Sequence, residues 1–226
     1  MLFHSIIPAR GGSKGLPKKN ILPLLEKPLI QYTIESSLHS RLIATTTVSS
    51  DSEEILDIAH HSRAKSLKRP ASLATDTASS DAVIQHFIDS QNLSDSDAIL
   101  LLQPTSPLRT AQHIIEAIQL FESSGQTVIS MKAADECPFK GFRVEQGTAI
   151  GYFGKHAPFS RRQDFPELFY ANGAIYIFRV ADFKEEGCIP RQSIAPFLMD
   201  QVSSVDIDSI EDLKLAEFLM EKKNAE

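Results

Sequence analysis

Arg10, Gly11, Gly12, Ser13, Lys14 and Gly15 are followed closely by Lys18, Lys19 and Asn20, a turn rich in both glycine and positive charge. Glycines let backbone N–H groups close around anionic oxygens, and cations at this density supply the countercharge, so the chemistry indicated is phosphate binding. From Arg10 to Lys27 five basic residues stand against the single acid Glu26, a local balance of +4 in a chain whose formal net charge is -6. The spacing is neither G-x-x-x-x-G-K-[ST] nor G-x-G-x-x-G, which sets aside the ATPase and dinucleotide readings of such a loop. Near the other end of the chain, Asp206 and Asp208 stand two apart. On a regular strand both carboxylates would face one side, as a hard divalent cation requires. A turn in which Asp208 or Ser209 starts a helix accounts for the same residues.

The string from Arg10 to Gly15, with Lys18, Lys19 and Asn20 behind it, resembles the signature loop of the acylneuraminate cytidylyltransferases, or CMP-sialic acid synthetases. The segment from Arg69 through Ala78, Ser79 and Ser80 is similar to that family's second nucleotide-binding segment, and Leu102 to Arg109 to its third. Asn172 to Tyr176 and Asp206 to Asp208 complete five motifs in the family's order, spanning nearly the whole chain. The resemblance implies that the anomeric hydroxyl of a nine-carbon nonulosonic acid (N-acetylneuraminic, legionaminic or pseudaminic acid) attacks the α-phosphorus of CTP, with pyrophosphate leaving. CMP-Kdo synthetases are the related alternative, and the Gly11 to Gly15 string differs from theirs. A non-catalytic CTP-binding protein on the same fold is the alternative from another class.

Carried over position by position, the resemblance implies that Arg10, Ser13 and Lys19 hold the nucleotide's triphosphate, with Gly11, Gly12 and Asn20 also binding the nucleotide. Arg69, Ala78 and Ser80 then meet its base and ribose. Lys19 is the leading catalytic residue, because a cation beside the leaving oxygens stabilises charge that develops only in the transition state. Arg10 and Asp206 complete the catalytic set, with Asp206 or a water on the metal taking the hydroxyl proton. Asp206 and Asp208 are the implied ligands of Mg²⁺. For the sugar, Gln103 follows an apolar strand at the end where open α/β sheets hold ligands. Arg161, Arg162, Gln163, Tyr170 and Asn172 supply the bidentate cations, amides and aromatic surface that suit a carboxylate with a polar tail. Arg109 either binds an anionic group or bonds to nearby carbonyls.

Positioning these groups calls for an α/β chain. Apolar runs alternate with helical patterns, the signature of a mostly parallel sheet with crossover helices. Strands are expected at 3–8, 42–48, 98–102, 127–131, 174–178 and 202–207. Helices are expected at 29–38, 53–61 with Ser52 as cap, 80–90 started by Asp76 or Ser80, 110–122 with Thr110 as cap, and 210–222. The run 98–102 is too uniformly apolar for a half-exposed strand and belongs in the middle of the sheet. Prolines, glycines and scattered aromatics interrupt the alternation after residue 134. Residues 135–170 are therefore read as an inserted subdomain, and 1–134 with 171–226 as the main domain. The resemblance implies a three-layer αβα Rossmann-like nucleotide-diphospho-sugar transferase fold, with the insertion serving as a dimerisation and sugar-binding subdomain that reaches into a partner's site. Phe139, Phe142, Tyr152, Phe153, Phe159 and Phe165 would lie in that interface or form a small core of their own.

Of 226 residues, 42% are hydrophobic, enough for a substantial core. The acidic balance argues against a general nucleic-acid or membrane-surface binder. The first residues lack the basic region and apolar length of a signal peptide, and no run approaches a membrane span. Cys137 and Cys188 have no ligand spacing and read as reduced thiols, so the expected compartment is the cytoplasm. The seven histidines show no catalytic spacing.

Overall fold

The computed structural model describes residues 1–13 and 15–225. In chain order it contains β1 (Phe3–Pro8), β2 (Pro23–Leu24), β3 (Lys27–Pro28), α1 (Leu29–His39), β4 (Ile43–Ser50), α2 (Glu53–His61), β5 (Lys65–Lys68) and α3 (Ser80–Gln91). Then follow β6 (Ala98–Leu101), α4 (Ala111–Ser124), β7 (Thr127–Ala133), β8 (Phe142–Glu145), β9 (Thr148–Gly151), β10 (Phe169–Arg179), α5 (Val180–Glu186), β11 (Ile194–Leu198) and α6 (Ile210–Ala225). Among the described residues no helix is long and apolar enough to cross a membrane.

Seven strands form the main sheet in the order β11-β7-β10-β6-β1-β4-β5. All its pairings are parallel except those of β10, which runs antiparallel to both β6 and β7. The central strand β6 alternates between two cores. Ala98 and Leu100 join Ile30, Ile34, Ile114 and Phe121 from α1 and α4 on one face. Ile99 and Leu101 join Ile84, Phe87 and Phe183 from α3 and α5 on the other. Burial on both faces is why this run lacks the polar alternation of an exposed sheet. The result is three layers, helices on both sides of one sheet. From β1 the chain moves outward to β4 and β5, then crosses to β6 on the other side. Strand order reverses at β1, and the crevice at such a switch point is where α/β sheets hold ligands.

Local chemistry sets the helix starts. Thr110 caps α4, its hydroxyl accepting from His113 N at 3.3 Å, while Thr110 N donates to His113 Nδ1 at 3.2 Å. The cap of α3 is Ser79, which accepts from Ala82 N, rather than the expected Asp76 or Ser80. Ser52 stands at the start of α2 without a side-chain capping bond.

The expected strand at 202–207 is absent. Asp200 accepts bonds from the backbone N–H and hydroxyl of Ser203, which curls the chain into a turn, and 205–207 crosses the sheet ends without a strand partner. Ile207 is buried there, its N–H bonded to Thr105 O at 2.9 Å. The apolar alternation of Val205 and Ile207 thus reflects anchoring of a loop, and the common strand face proposed for Asp206 and Asp208 does not exist. β5, α5 and β11 were not anticipated, and β10 starts five residues earlier than the expected 174.

Residues 135–168 leave the sheet after β7 and return at β10. They contain the β8–β9 hairpin and 3-10 turns, with Phe139 stacked on Phe165 at 4.9 Å and tilted against Phe153. Phe142, Tyr152 and Phe159 are exposed, Phe159 to 80%.

Candidate active site

The loop after β1 is held open by its own side chains. Asn20, buried in the 3-10 turn Lys19–Ile21, donates from Nδ2 to Arg10 O at 2.9 Å, tying the far end of the loop to its start. Gly11 N donates to Asp51 Oδ1 at 2.9 Å, anchoring the loop to the end of β4. A Cβ on Gly15 would meet Asp208 O at 2.9 Å, so the loop packs its backbone directly against the 206–208 segment. Two basic residues of the loop then point inward, each against a protein carboxylate: Arg10 Nη1 lies 2.6 Å from Asp76 Oδ1, and Lys19 Nζ lies 2.8 Å from Asp208 Oδ1. Lys18 turns outward to Glu54 instead.

Arg10, Lys19 and Asp208 line a depression of about 390 Å³ with Arg69, Ala78, Ser79, Ser80, Gln103 and Thr105. Arg69 is 5% exposed, and its Nε and Nη2 are buried without a hydrogen-bond partner. Burial lowers its pKa, offset in part by Asp51. An unpartnered buried guanidinium costs stability unless a ligand completes it. The depression therefore combines Arg10 and Lys19, the donor-bearing Arg69 and several hydroxyls, suited to a polyanion carrying a polar ring.

A second depression, about 670 Å³, adjoins it and is lined by Lys132, Asp135, Asn172, Tyr176 and Gln201 among others. Gln103 and Asp206 belong to both. Asp206 is exposed as a residue, but its carboxyl group is partly desolvated between the two depressions. That pushes its pKa up; a bond with the Thr105 side chain opposes the rise, Asp208 adds to it and Lys19 opposes it. The Tyr176 phenol is raised likewise, by burial and then by Asp206.

A model described as Cytidylyltransferase matches residues 4–225. The chain belongs to the cytidylyltransferase family. It is 38% identical over 224 residues to the N-acylneuraminate cytidylyltransferase of Escherichia coli O18:K1:H7, covering 97% of this chain but only about half, 52%, of that relative's length. It is 34% identical to the pseudaminic acid cytidylyltransferase of Campylobacter jejuni serotype O:2, covering 95% of this chain and 94% of the relative. It is also 34% identical to the CMP-N,N'-diacetyllegionaminic acid synthase of Legionella pneumophila, with 98% and 97% covered. Two solved structures share the fold. CMP:2-keto-3-deoxy-manno-octonic acid synthetase in complex with CTP superposes with a TM-score of 0.74 at 18% identity, over 99% of this chain and 100% of the other. 4-diphosphocytidyl-2C-methyl-D-erythritol synthase gives 0.68 at 11%, over 97% and 98%.

In this cytidylyltransferase-family chain the residues singled out from sequence fall in different places. Arg10, Lys19, Asn20, Arg69, Ala78, Ser80, Gln103, Asp206 and Asp208 line the first depression together. Gly11, Gly12 and Ser13 are not among the residues that line it. Asn172 lines the second depression, but its amide is committed: Oδ1 accepts from Ser130 Oγ at 2.6 Å and Nδ2 donates to Ser204 Oγ at 2.8 Å. Arg161, Arg162, Gln163 and Tyr170 are outside both. Arg161 pairs with Asp164, and Arg162 and Gln163 line a separate depression at the base of the insertion with Cys137 and Phe165. Arg109 is wholly buried, with Nη1 donating to Gln103 O at 3.2 Å and Ala174 O at 2.9 Å, and desolvation lowers its pKa to about 9. Of the two roles open to it, bonding to nearby carbonyls is the one seen.

Thr105, Lys132, Tyr176 and Gln201 were missed as site residues. Tyr176 ends a segment already noticed for its motif, and Lys132 is the sole charged residue of β7, a signal that could have been read.

Asp206 and Asp208 suit a hard divalent ion in chemistry as well as placement. Asp208 raises the cost of ionising Asp206, and Mg²⁺ characteristically takes one or two carboxylates and completes its shell with water and substrate phosphates. Among the described residues there is no group of three or more His, Cys, Asp or Glu side chains able to hold a metal alone. An ion here would be completed by the substrate.

Proposed function

We propose that this chain transfers CMP from CTP to the anomeric hydroxyl of a nine-carbon nonulosonic acid, releasing pyrophosphate. The observation that carries the reading is the junction of the two depressions at Gln103 and Asp206, with phosphate-binding cations on one side and a polar pocket on the other. The nonulosonic acids named for the relatives above support the acceptor class.

In the reaction, the sugar's anomeric oxygen bonds to the α-phosphorus as the bond from that phosphorus to the bridging oxygen breaks. Arg10 and Lys19 neutralise the triphosphate, and Lys19 takes up the charge appearing on departing pyrophosphate. For both cations to do so, they exchange the carboxylates of Asp76 and Asp208 for phosphate oxygens. Arg69 and the 78–80 segment orient the cytidine end. Gln103 aligns the acceptor, and Asp206 receives the hydroxyl proton. Mg²⁺ held by Asp206 and Asp208 would supply Lewis-acid neutralisation of the phosphates.

The acceptor pocket of one subunit does not contain Arg161, Arg162, Gln163 or Tyr170, while the insertion that carries the first three exposes several aromatic rings. This supports a homodimer in which these residues reach the neighbour's acceptor site. A nucleoside triphosphate substrate and two free cysteines support a cytoplasmic setting.

The test is pyrophosphate release from CTP and Mg²⁺, offering N-acetylneuraminic, legionaminic and pseudaminic acids and the eight-carbon acid Kdo in parallel. Release with a nine-carbon acid supports the reading. Release with the eight-carbon acid alone reassigns the acceptor, and CTP binding without release from any acid indicates a non-catalytic binder.

A further inference from the structure

Lys132 has no place in the reaction as derived so far, yet its surroundings are unusual. It is the only cation among the described residues lining the acceptor-side depression, which also contains the carboxylates of Asp135, Asp206 and Asp212. Asp212 is occupied as a helix cap, accepting from Ser209 N at 2.8 Å and Ser209 Oγ at 2.7 Å. Asp206 faces the nucleotide side as well. A pocket with this balance repels an acid sugar unless its one cation is available to the sugar's carboxylate.

Lys132 lies near the end of β7, opposite Tyr170 of β10, with its side chain 29% exposed, and its Nζ is 2.8 Å from Asp135 Oδ2, whose side chain is 62% exposed. An ion pair three residues apart at a protein surface adds little to stability, so stability alone does not account for placing a lysine in this wall. The pair repeats the arrangement at the first depression, where Arg10 and Lys19 likewise rest on the carboxylates of Asp76 and Asp208.

We infer that Lys132 receives the carboxylate of the acid sugar within the same subunit, and that Asp135 occupies that place until the sugar arrives. The inference rests on the proposed acceptor class. It assigns specificity for an acid over a neutral sugar to a residue of the main sheet, separate from the arginines of the insertion.

The opposed behaviour of two variants tests it, with steady-state pyrophosphate release measured at saturating CTP. Lys132→Met should raise the sugar KM about tenfold or more, with the CTP KM unchanged, because a charge-assisted bond to the carboxylate is lost. Lys132→Arg should recover most of the loss. Asp135→Asn should leave the sugar KM unchanged or lower it, since the competing carboxylate is gone. A pair without a role in acceptor binding predicts instead that Lys132→Met and Asp135→Asn change the sugar KM alike, and that result would overturn the inference. So would an unchanged sugar KM in Lys132→Met. A wild-type protein inactive with every acid sugar would remove the acceptor reading and this inference together, whereas normal wild-type turnover with insensitive variants removes the inference alone.

Discussion

Gly173 packs against the side chain of Gln103 so closely that a Cβ at that position would collide with Gln103 Oε1. Gly173 also has φ +77, a backbone region that disfavours L side chains. The main chain of β10 therefore acts as the stop that sets the Gln103 amide between the two depressions. Gly173→Ala should lower kcat/KM for the sugar by about tenfold to a hundredfold through misplacement of the acceptor, at a stability cost of about 1–3 kcal/mol. Kinetics alongside urea denaturation separate the two effects. A variant destabilised to this extent with normal kcat/KM would show that Gln103 does not align the sugar.

Arg109 supports the same loop from behind. Removing it leaves Gln103 O and Ala174 O with a lost charged donor in a dry setting. Arg109→Met should destabilise the protein by about 2–3 kcal/mol, and Arg109→Lys should recover only part, since one ammonium cannot reproduce the planar fork. Denaturant midpoints at constant slope give the comparison.

Lys19 and Arg69 should fail differently. Lys19→Ala should reduce kcat by about a hundredfold, with a much smaller change in CTP affinity, because its charge is needed most when pyrophosphate departs. Arg69→Ala should instead weaken CTP binding about tenfold and largely preserve kcat, since its unpartnered guanidinium atoms are completed by the bound nucleotide. Calorimetric CTP titrations paired with turnover distinguish these outcomes. Equal losses of affinity in both variants would refute the division of roles.

His113 makes stability depend on pH. Its Nδ1 accepts from Thr110 N and must be unprotonated to do so, and burial lowers its pKa, with Asp200 and Glu116 opposing. Burial lowers the pKa of His4 as well, against the pull of Asp97. Below about 6.5 the unfolded chain takes up protons that the native protein resists, so stability falls as pH drops from there toward the native values. Thermal midpoints should fall between about pH 7.5 and about pH 5.5, and His113→Gln, which keeps an acceptor in the capping box, should flatten part of that slope. An identical slope in the variant would exclude His113 as a contributor.

The helix and strand alternation was legible because burial on both faces of β6 and along α1, α2 and α4 leaves uninterrupted or 3.6-periodic apolar patterns. Lys65–Lys68 was not, since an edge strand of mostly exposed residues has no core to mark it in sequence. Residues 202–207 misled for the opposite reason: Ile207 is buried by a loop, and alternation alone does not reveal whether a neighbouring strand exists. At the site, the first depression is lined from short runs at 8–20, 69–83, 103–105 and 206–208, most of which carry a pattern visible in sequence. The second depression gathers Lys132 from β7, Tyr176 from β10 and Gln201 with Asp206 from the loop before α6, and only the folded sheet brings them together. Asn172 has the composition of a ligand contact, yet its buried amide is used up holding β10 to β7 and to the 199–204 turn.

The excursion at 135–168 leaves and rejoins the sheet at adjacent points, with Phe169 paired to Ala133 and Ala134 N bonded to Leu168 O at 2.8 Å. Its two ends are already stapled together by the strands that flank it, so its length and contents are not constrained by the sheet. A segment tethered in this way can be exchanged as a single contiguous stretch of gene: under the proposed function, a different neighbour could be accommodated by such a swap without touching the strands and loops that line the first depression.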